Sequence, residues 1–257
     1  MDIIKQNSIA WDQKVEDGAT YTKPVAKEII EKSKTGDWEI TVTTVRKVPR
    51  GWFPDSIKGL KILCLASGGG QQGPVLAAAG ADVTVVDMSL KQLEQDKYVA
   101  TRDGLNITTI QGNMKDLHFL EEDTYDMIIH PVSNVFVDDV LPVWKEAARV
   151  LKEGGILIAG FTNPLLYIFD DEAEMKGKLE VKHKIPYSDL EALSKEKLEE
   201  FRKNKQTFEF GHTLEDQIQG QIDAGFVITG FYEDDFGGTR LLDNHIKTFI
   251  ATRALKK

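Results

Sequence analysis

The stretch Lys61 to Gly73, KILCLASGGGQQG, limits what this chain can fold into more than any other segment. A short apolar run, KILCL, ends in a glycine cluster, and the helix-forming run GPVLAAAGA follows. An apolar run without polar alternation reads as a strand buried on both faces. Glycines directly after it allow a tight turn and a close backbone approach. The next helix then begins with unpaired N–H groups facing back across the turn. Read literally, Gly68, Gly70 and Gly73 form G-x-G-x-x-G, and a second strand, DVTVVD, ends on Asp87, nineteen residues after Gly68.

The same rhythm continues along the chain. Ser89 opens a helix with Gln92 three residues on, the spacing of a capping box. Asn106 to Gln111 and YDMIIHP read as further strands, the second stopped by Pro131. DDVLPVWKEAARVLKEGG reads as an amphipathic helix with acids at its start and a double glycine at its end. Leu141, Trp144, Ala148 and Leu151 mark its apolar face, and ILIAGF is a fifth strand. Strands alternating with helices imply a parallel, doubly wound sheet. FVITGFYED and HIKTFIATRAL are joined by about a dozen residues, too few for a helical crossover, so they are expected to pair antiparallel.

Two segments depart from that rhythm. Residues 1–55 hold amphipathic stretches from Ser8 to Asp17 and from Pro24 to Lys34, then a β-prone run, EITVTTV. Residues 162–211 hold GKLEVKHKIPY, which resembles a strand pair, and SDLEALSKEKLEEFRKN, which resembles a solvated helix. TLEDQIQGQIDAGF is expected to be a helix capped by Thr213 and Gly225.

A strand, a glycine loop, a helix and an acid at that distance point to an adenosine-containing ligand, because the carboxylate can accept hydrogen bonds from both ribose hydroxyls. NAD and S-adenosylmethionine are served equally by these features. With a net charge of -9 over 257 residues, the chain is a poor polyanion binder, and no nucleic-acid partner is expected. One cysteine, Cys64, excludes an internal disulfide. No apolar run reaches membrane-spanning length and the start lacks the apolar core of a signal peptide, so no membrane association and a cytoplasmic location are expected. No Cys/His cluster has metal-ligand spacing, so no metal is expected.

Three features separate the two cofactors. GNMKDL follows the third strand, the last strand pair is reversed, and no Tyr-x-x-x-Lys is present to carry short-chain reductase chemistry. On ASGGGQQG, VVDMS, GNMKDL, YDMIIHPVSN and ARVLKEGGILIAG, the segment from Lys61 to Phe161 resembles the class I S-adenosylmethionine-dependent methyltransferases. The resemblance implies an α/β fold with a doubly wound, seven-stranded sheet, mostly parallel with a reversed final strand. It implies a Rossmann-like domain of residues 56–161 and 212–257. The resemblance does not fix the other two segments; from their position over the sheet's ligand edge, residues 1–55 are expected to be an extension or lid and residues 162–211 a substrate-binding cap. It also implies methyl transfer from S-adenosylmethionine, leaving S-adenosylhomocysteine, to an acceptor expected to be a small molecule. An NAD(P)-dependent oxidoreductase and a non-catalytic S-adenosylmethionine-binding module are the alternatives.

Carried onto this chain, the resemblance puts Ala66, Gly68 and Gly70 along the methionine part of the cofactor, Asp87 on the ribose, and Met88, Asn113 and Met114 at the adenine. Ser67, Gln72, Gln92 and Val132 are expected beside them, and His130 to Asn134 near the sulfonium. Cys64 and Ala66 depart from the family, where an acid and a glycine are common. His130 ends a strand at the ligand edge and His212 precedes a helix, so each is a candidate general base or a loop hydrogen-bonding residue. Trp11, Tyr21, Trp52, Asn134 and Tyr167 are candidate substrate-binding residues.

Overall fold

The computed structural model describes residues 2–257. Its sheet is built from β1 (Lys61–Leu65), β2 (Asp82–Asp87), β3 (Ile107–Gln111), β4 (Tyr125–His130) and β5 (Leu151–Thr162). Residues 162–211 add a separate two-stranded ladder of β6 (Tyr187–Ser188) and β7 (Phe210–Gly211). The chain returns to the main sheet through β8 (Phe226–Asp234) and β9 (Phe249–Lys256). The seven-stranded order is β3-β2-β1-β4-β5-β9-β8. β1 to β5 pair in parallel, and β9 runs antiparallel to both β5 and β8, so the sheet has the expected topology with one reversed strand.

Alternation along the strands sends side chains to two opposite cores. Leu63, Leu65, Ile128, Leu157 and Phe161 pack with Val143, Trp144 and Ala147 of α5 (Leu141–Val150). Ile62, Cys64, Val83, Val85, Met127 and Ile129 pack on the other face with residues of three helices. These are Ile30 of α2 (Lys27–Lys34), Val75 and Leu76 of α3 (Gln72–Ala78), and Leu93 and Val99 of α4 (Leu90–Asp103). Ile40, Val42, Val48 and Phe53 join this second core, which ties the extension to the sheet through apolar burial. A third cluster joins Ile3 of α1 (Ile3–Glu16) to Phe208 and Phe210 of the 162–211 segment.

Local elements differ from the sequence reading where side chains outcompete the expected pattern. EITVTTV makes only one bridge, Thr41 to Lys47, because Thr43 and the N–H groups of Val45 and Arg46 all donate to Asp234. α2 starts at Lys27, so Pro24 lies before it. α5 ends at Val150 and LKEGG already belongs to β5, while Leu141 is an exposed residue. GKLEVKHKIPY does not pair with itself: Val181 makes an antiparallel bridge to Phe169 and Tyr187 belongs to β6, while SDLEALSKEKLEEFRKN divides into Asp189–Ala192 and Lys195–Lys203. TLEDQIQGQIDAGF is the expected helix, one helical run from Leu214 to Asp223 with a π segment at Glu215–Gln219, and Thr213 caps it, its Oγ1 accepting the Asp216 N–H at 3.0 Å. Gly225 closes it with φ +101°, as a left-handed stop requires.

Candidate active site

β1 and β4 lie side by side where the strand order reverses, the position at which doubly wound sheets open a crevice. The glycine loop leaves β1 there. Ala66 takes φ +48°, so it occupies the left-handed position that a glycine commonly fills. Gly68 donates its N–H to Asp87 Oδ2 at 2.9 Å, and Ser89 donates its own to Oδ1 at 2.9 Å. A Cβ at Gly68 would lie 2.7 Å from Gln92 Cβ and 3.1 Å from Asp87 Oδ2, so only glycine lets the loop close on this carboxylate. Burial pushes the Asp87 carboxyl up to about 6, against the opposing pull of the N–H bonds from Ser89 and Gly68.

The capping box is half formed. Ser89 Oγ accepts the Gln92 N–H at 3.1 Å, but the Ser89 N–H goes to Asp87 rather than to the Gln92 side chain. The Gln92 amide is thereby released towards the loop, and its buried Oε1 has no partner among the described residues. Beneath the loop, Asp96 Oδ2 accepts the Gly69 N–H at 3.0 Å, and burial pushes its carboxyl up to about 8. Cys64 is also buried, and burial raises its thiol well above the ordinary range.

A cavity of about 570 Å³ opens above the loop. Ala66, Ser67, Gly68, Asp87, Met88, Gln92 and Met114 form one side, with Gln72 and Val132. Thr162, Leu166, Tyr167, Glu209, Arg240 and Phe249 form the other. Trp11, Tyr21 and Thr41 to Thr44 come from the extension. α1 is fastened across this roof at both ends. Asp12 Oδ1 accepts from Ser89 Oγ at 2.6 Å and the Lys91 N–H at 3.1 Å. Asn7 donates to the carbonyls of Phe136 and Phe208 and accepts the Phe208 N–H.

Several residues expected at the cavity lie elsewhere. Gly70 faces the Gln95 backbone and Pro24, so its positive φ serves the turn rather than a ligand. Asn113 does not line the cavity, because its Oδ1 accepts the Lys115 N–H within a tight turn. Trp52 packs on Tyr232, ring centroids 5.2 Å apart, beside Gly230 of β8. Asn134 is fully buried, joining His130 to Gln217.

Neither histidine reaches the cavity. His130 is fully buried, with Nδ1 2.9 Å from the Leu65 carbonyl and Nε2 2.7 Å from the Asn134 amide. Burial holds its pKa below the ordinary imidazole value, so the ring is neutral and carries one N–H. That N–H donates to Leu65. Exchanging the O and N ends of the Asn134 and Gln217 amides lets Asn134 donate to Nε2 and gives the unpartnered Gln217 Nε2 an acceptor. His212 Nε2 lies 3.0 Å from the Asn134 carbonyl, and burial lowers its pKa too. Both histidines hold backbone at the strand end.

The reversed strand in a seven-stranded sheet, with the glycine loop and Asp87 at the switch point, defines the methyltransferase class of α/β fold. Residues 63–159 match the family model described as a methyltransferase domain. Over 254 residues the chain is 58% identical to the protein named uncharacterized methyltransferase YbaJ of Bacillus subtilis (strain 168), covering 99% of this chain and 98% of that one. The chain belongs to the class I S-adenosylmethionine-dependent methyltransferases, and its cofactor is S-adenosylmethionine. A shorter match, 33% identical over 101 residues, is to the ubiquinone biosynthesis O-methyltransferase of Vibrio parahaemolyticus, covering 39% of this chain and 43% of that one. Among solved structures, an S-adenosylmethionine-dependent methyltransferase from Mesorhizobium loti shares the fold with TM-score 0.60, at 18% identity, covering 80% of this chain and 95% of that one. The arsenic(III) methyltransferase CrArsM of Chlamydomonas reinhardtii gives TM-score 0.53 at 23% identity, covering 91% and 71%.

Proposed function

We propose that the glycine-loop side of the cavity holds S-adenosylmethionine and that the cap side holds a small-molecule acceptor, methylated by in-line displacement as in the methyltransferases proper. The observation that carries this reading is the continuity of the cavity, from Gly68 and Asp87 on one side to Tyr167 and Glu209 on the other.

The residues present fit the cofactor. Each Asp87 oxygen already accepts one backbone N–H and keeps a lone pair for a ribose hydroxyl. Gln92 Oε1, buried and unpartnered, calls for a donor from a ligand. Met88 and Met114 offer polarizable apolar surface to a base, and Ala66, Ser67 and Gly68 offer loop backbone to the amino-acid part. When bound, the cofactor supplies an already electrophilic methyl group. The chain holds the acceptor in line and excludes water, and positioning of this kind is worth roughly 7–11 kcal/mol of barrier. The extension, residues 1–55, is the lid in this reading, and the insertion, residues 162–211, is the acceptor-binding cap. The size of the cavity and the acidic balance of the chain both favour a small acceptor over a nucleic acid.

Incubation of the protein with methyl-deuterated S-adenosylmethionine and a fractionated bacterial extract tests this. The label is expected in a compound of the low-mass fraction. Label confined to the RNA or protein fraction contradicts the reading.

A further inference from the structure

The cap side of the cavity contains one carboxylate with a free oxygen. Glu209 Oε2 accepts the Tyr167 hydroxyl at 2.9 Å, and among the described residues no donor reaches Oε1. Glu209 immediately precedes β7, between Phe208 and Phe210, which are buried in the cluster with Ile3, and it lines both this cavity and an adjoining one of about 510 Å³. The carboxylate is firmly mounted. Its own N–H donates to Asp189 Oδ2 at 2.7 Å, Tyr187 donates to Asp189 Oδ1 at 2.7 Å, and the rings of Tyr187 and Tyr167 stack with centroids 5.2 Å apart.

The cation on the same wall is already engaged. Arg240 pairs with Glu174 and, at 2.9 Å, with Asp171, and it lies over the Phe236 ring. An anionic acceptor would therefore meet a free carboxylate and no free cation among the lining residues. Trp11, Phe136, Phe236 and Phe249 supply flat apolar walls.

Building on the cavity reading above, we propose that Glu209 recognises the methyl acceptor and takes its proton, and that the acceptor is a compact, largely apolar molecule presenting an amine N–H or a hydroxyl O–H. An organic acid or phosphate ester is excluded by the same wall. The step balances: the acceptor's X–H bond breaks and an O–H bond forms on Glu209. X gains a C–X bond in exchange for the S–C bond, whose electron pair stays on sulfur. Burial and the nearby Asp189 and Asp171 push the Glu209 carboxyl up, while the Tyr167 hydroxyl and Lys14 pull it down. The net rise makes the ionised form a stronger base than an ordinary surface carboxylate.

The test uses the full-length protein saturated with S-adenosylhomocysteine and three matched probes, benzylamine, benzyl alcohol and benzoate, titrated by NMR. Benzylamine or benzyl alcohol is expected to bind at least about tenfold more tightly than benzoate. Glu209→Gln keeps the size and an acceptor for Tyr167, and it is expected to bring the three probes within about threefold while leaving S-adenosylhomocysteine affinity unchanged. Tyr167→Phe keeps the carboxylate and is expected to retain the preference. Benzoate binding as well as the other probes, a preference that survives Glu209→Gln, or no binding by any probe overturns the proposal. Failure of S-adenosylhomocysteine to bind the wild-type protein overturns the cofactor assignment instead.

Discussion

The two sides of the cavity are assembled by different means. On the glycine-loop side, residues within about thirty positions of one another meet through backbone geometry: Gly68 and Ser89 on Asp87, Gly69 on Asp96, Ser89 on Gln92. Elsewhere the cavity is lined from five distant stretches: Trp11, Thr43, Tyr167, Glu209 and Arg240 share no local motif. The first side is built from the motifs of the fold, and the second from segments outside them. A cofactor used across a family can be held by the first, while acceptor choice is left to the second.

The comparison can be broken most severely where the extension rests on the sheet. A Cβ at Gly160 of β5 would lie 2.0 Å from the Val42 carbonyl oxygen, which also accepts the Val132 N–H at 3.0 Å. Gly160→Ala is expected to lower stability by about 3 kcal/mol or more in urea denaturation, since backbone must move to admit the methyl. A change below about 0.5 kcal/mol would mean that residues 40–45 are not docked as described.

A somewhat smaller loss is expected at Asn7, the buried link between α1 and the cap. Asn7→Ala removes three hydrogen bonds and leaves two carbonyls and one N–H unpaired. The expected cost is about 2–3 kcal/mol, with faster amide exchange at Phe208. Unchanged exchange there would separate the lid from the cap.

The effect of pH sharpens the cofactor side. Burial raises Asp87 to about 6 in the ligand-free protein, and a ribose donor favours the ionised form. Affinity for S-adenosylhomocysteine is therefore expected to be flat above about pH 6 and to weaken as pH falls through it, approaching about tenfold per pH unit. Asp87→Asn is expected to flatten that profile, and a profile that stays steep in the variant assigns the dependence to another group. Calorimetry across pH 5 to 8 reads both.

How much of this was legible in the sequence follows the same division. The order of β1 to β5, the reversed pair and the loop with its acid are written in local patterns, and the structure carries them. Gly70 and Asn113 belong to the same motifs but answer to the turn, because positive φ and an Asx contact satisfy them without a ligand. His130 ends its strand as expected, yet the Leu65 carbonyl and the Asn134 amide enclose it, partners that only the sheet order brings together. Trp52 binds the extension to β8 for a similar reason. Glu209 left one trace, the alternation of Phe208, Glu209 and Phe210, but nothing local says which cavity that side chain enters. Arg240, Phe236 and Phe249 left none, since their meeting depends on how the β8–β9 connection folds over the cap.

The separation of the two sides is tested most directly by measuring S-adenosylhomocysteine affinity in Asp87→Asn and Glu209→Gln by calorimetry at pH 7.5. The asparagine variant is expected to bind about 10–100-fold more weakly than wild type, as loss of a charge-assisted acceptor requires, and the glutamine variant within about twofold of it. Equal affinities in Asp87→Asn and wild type, or a loss confined to Glu209→Gln, would contradict the assignment of cofactor and acceptor to opposite walls.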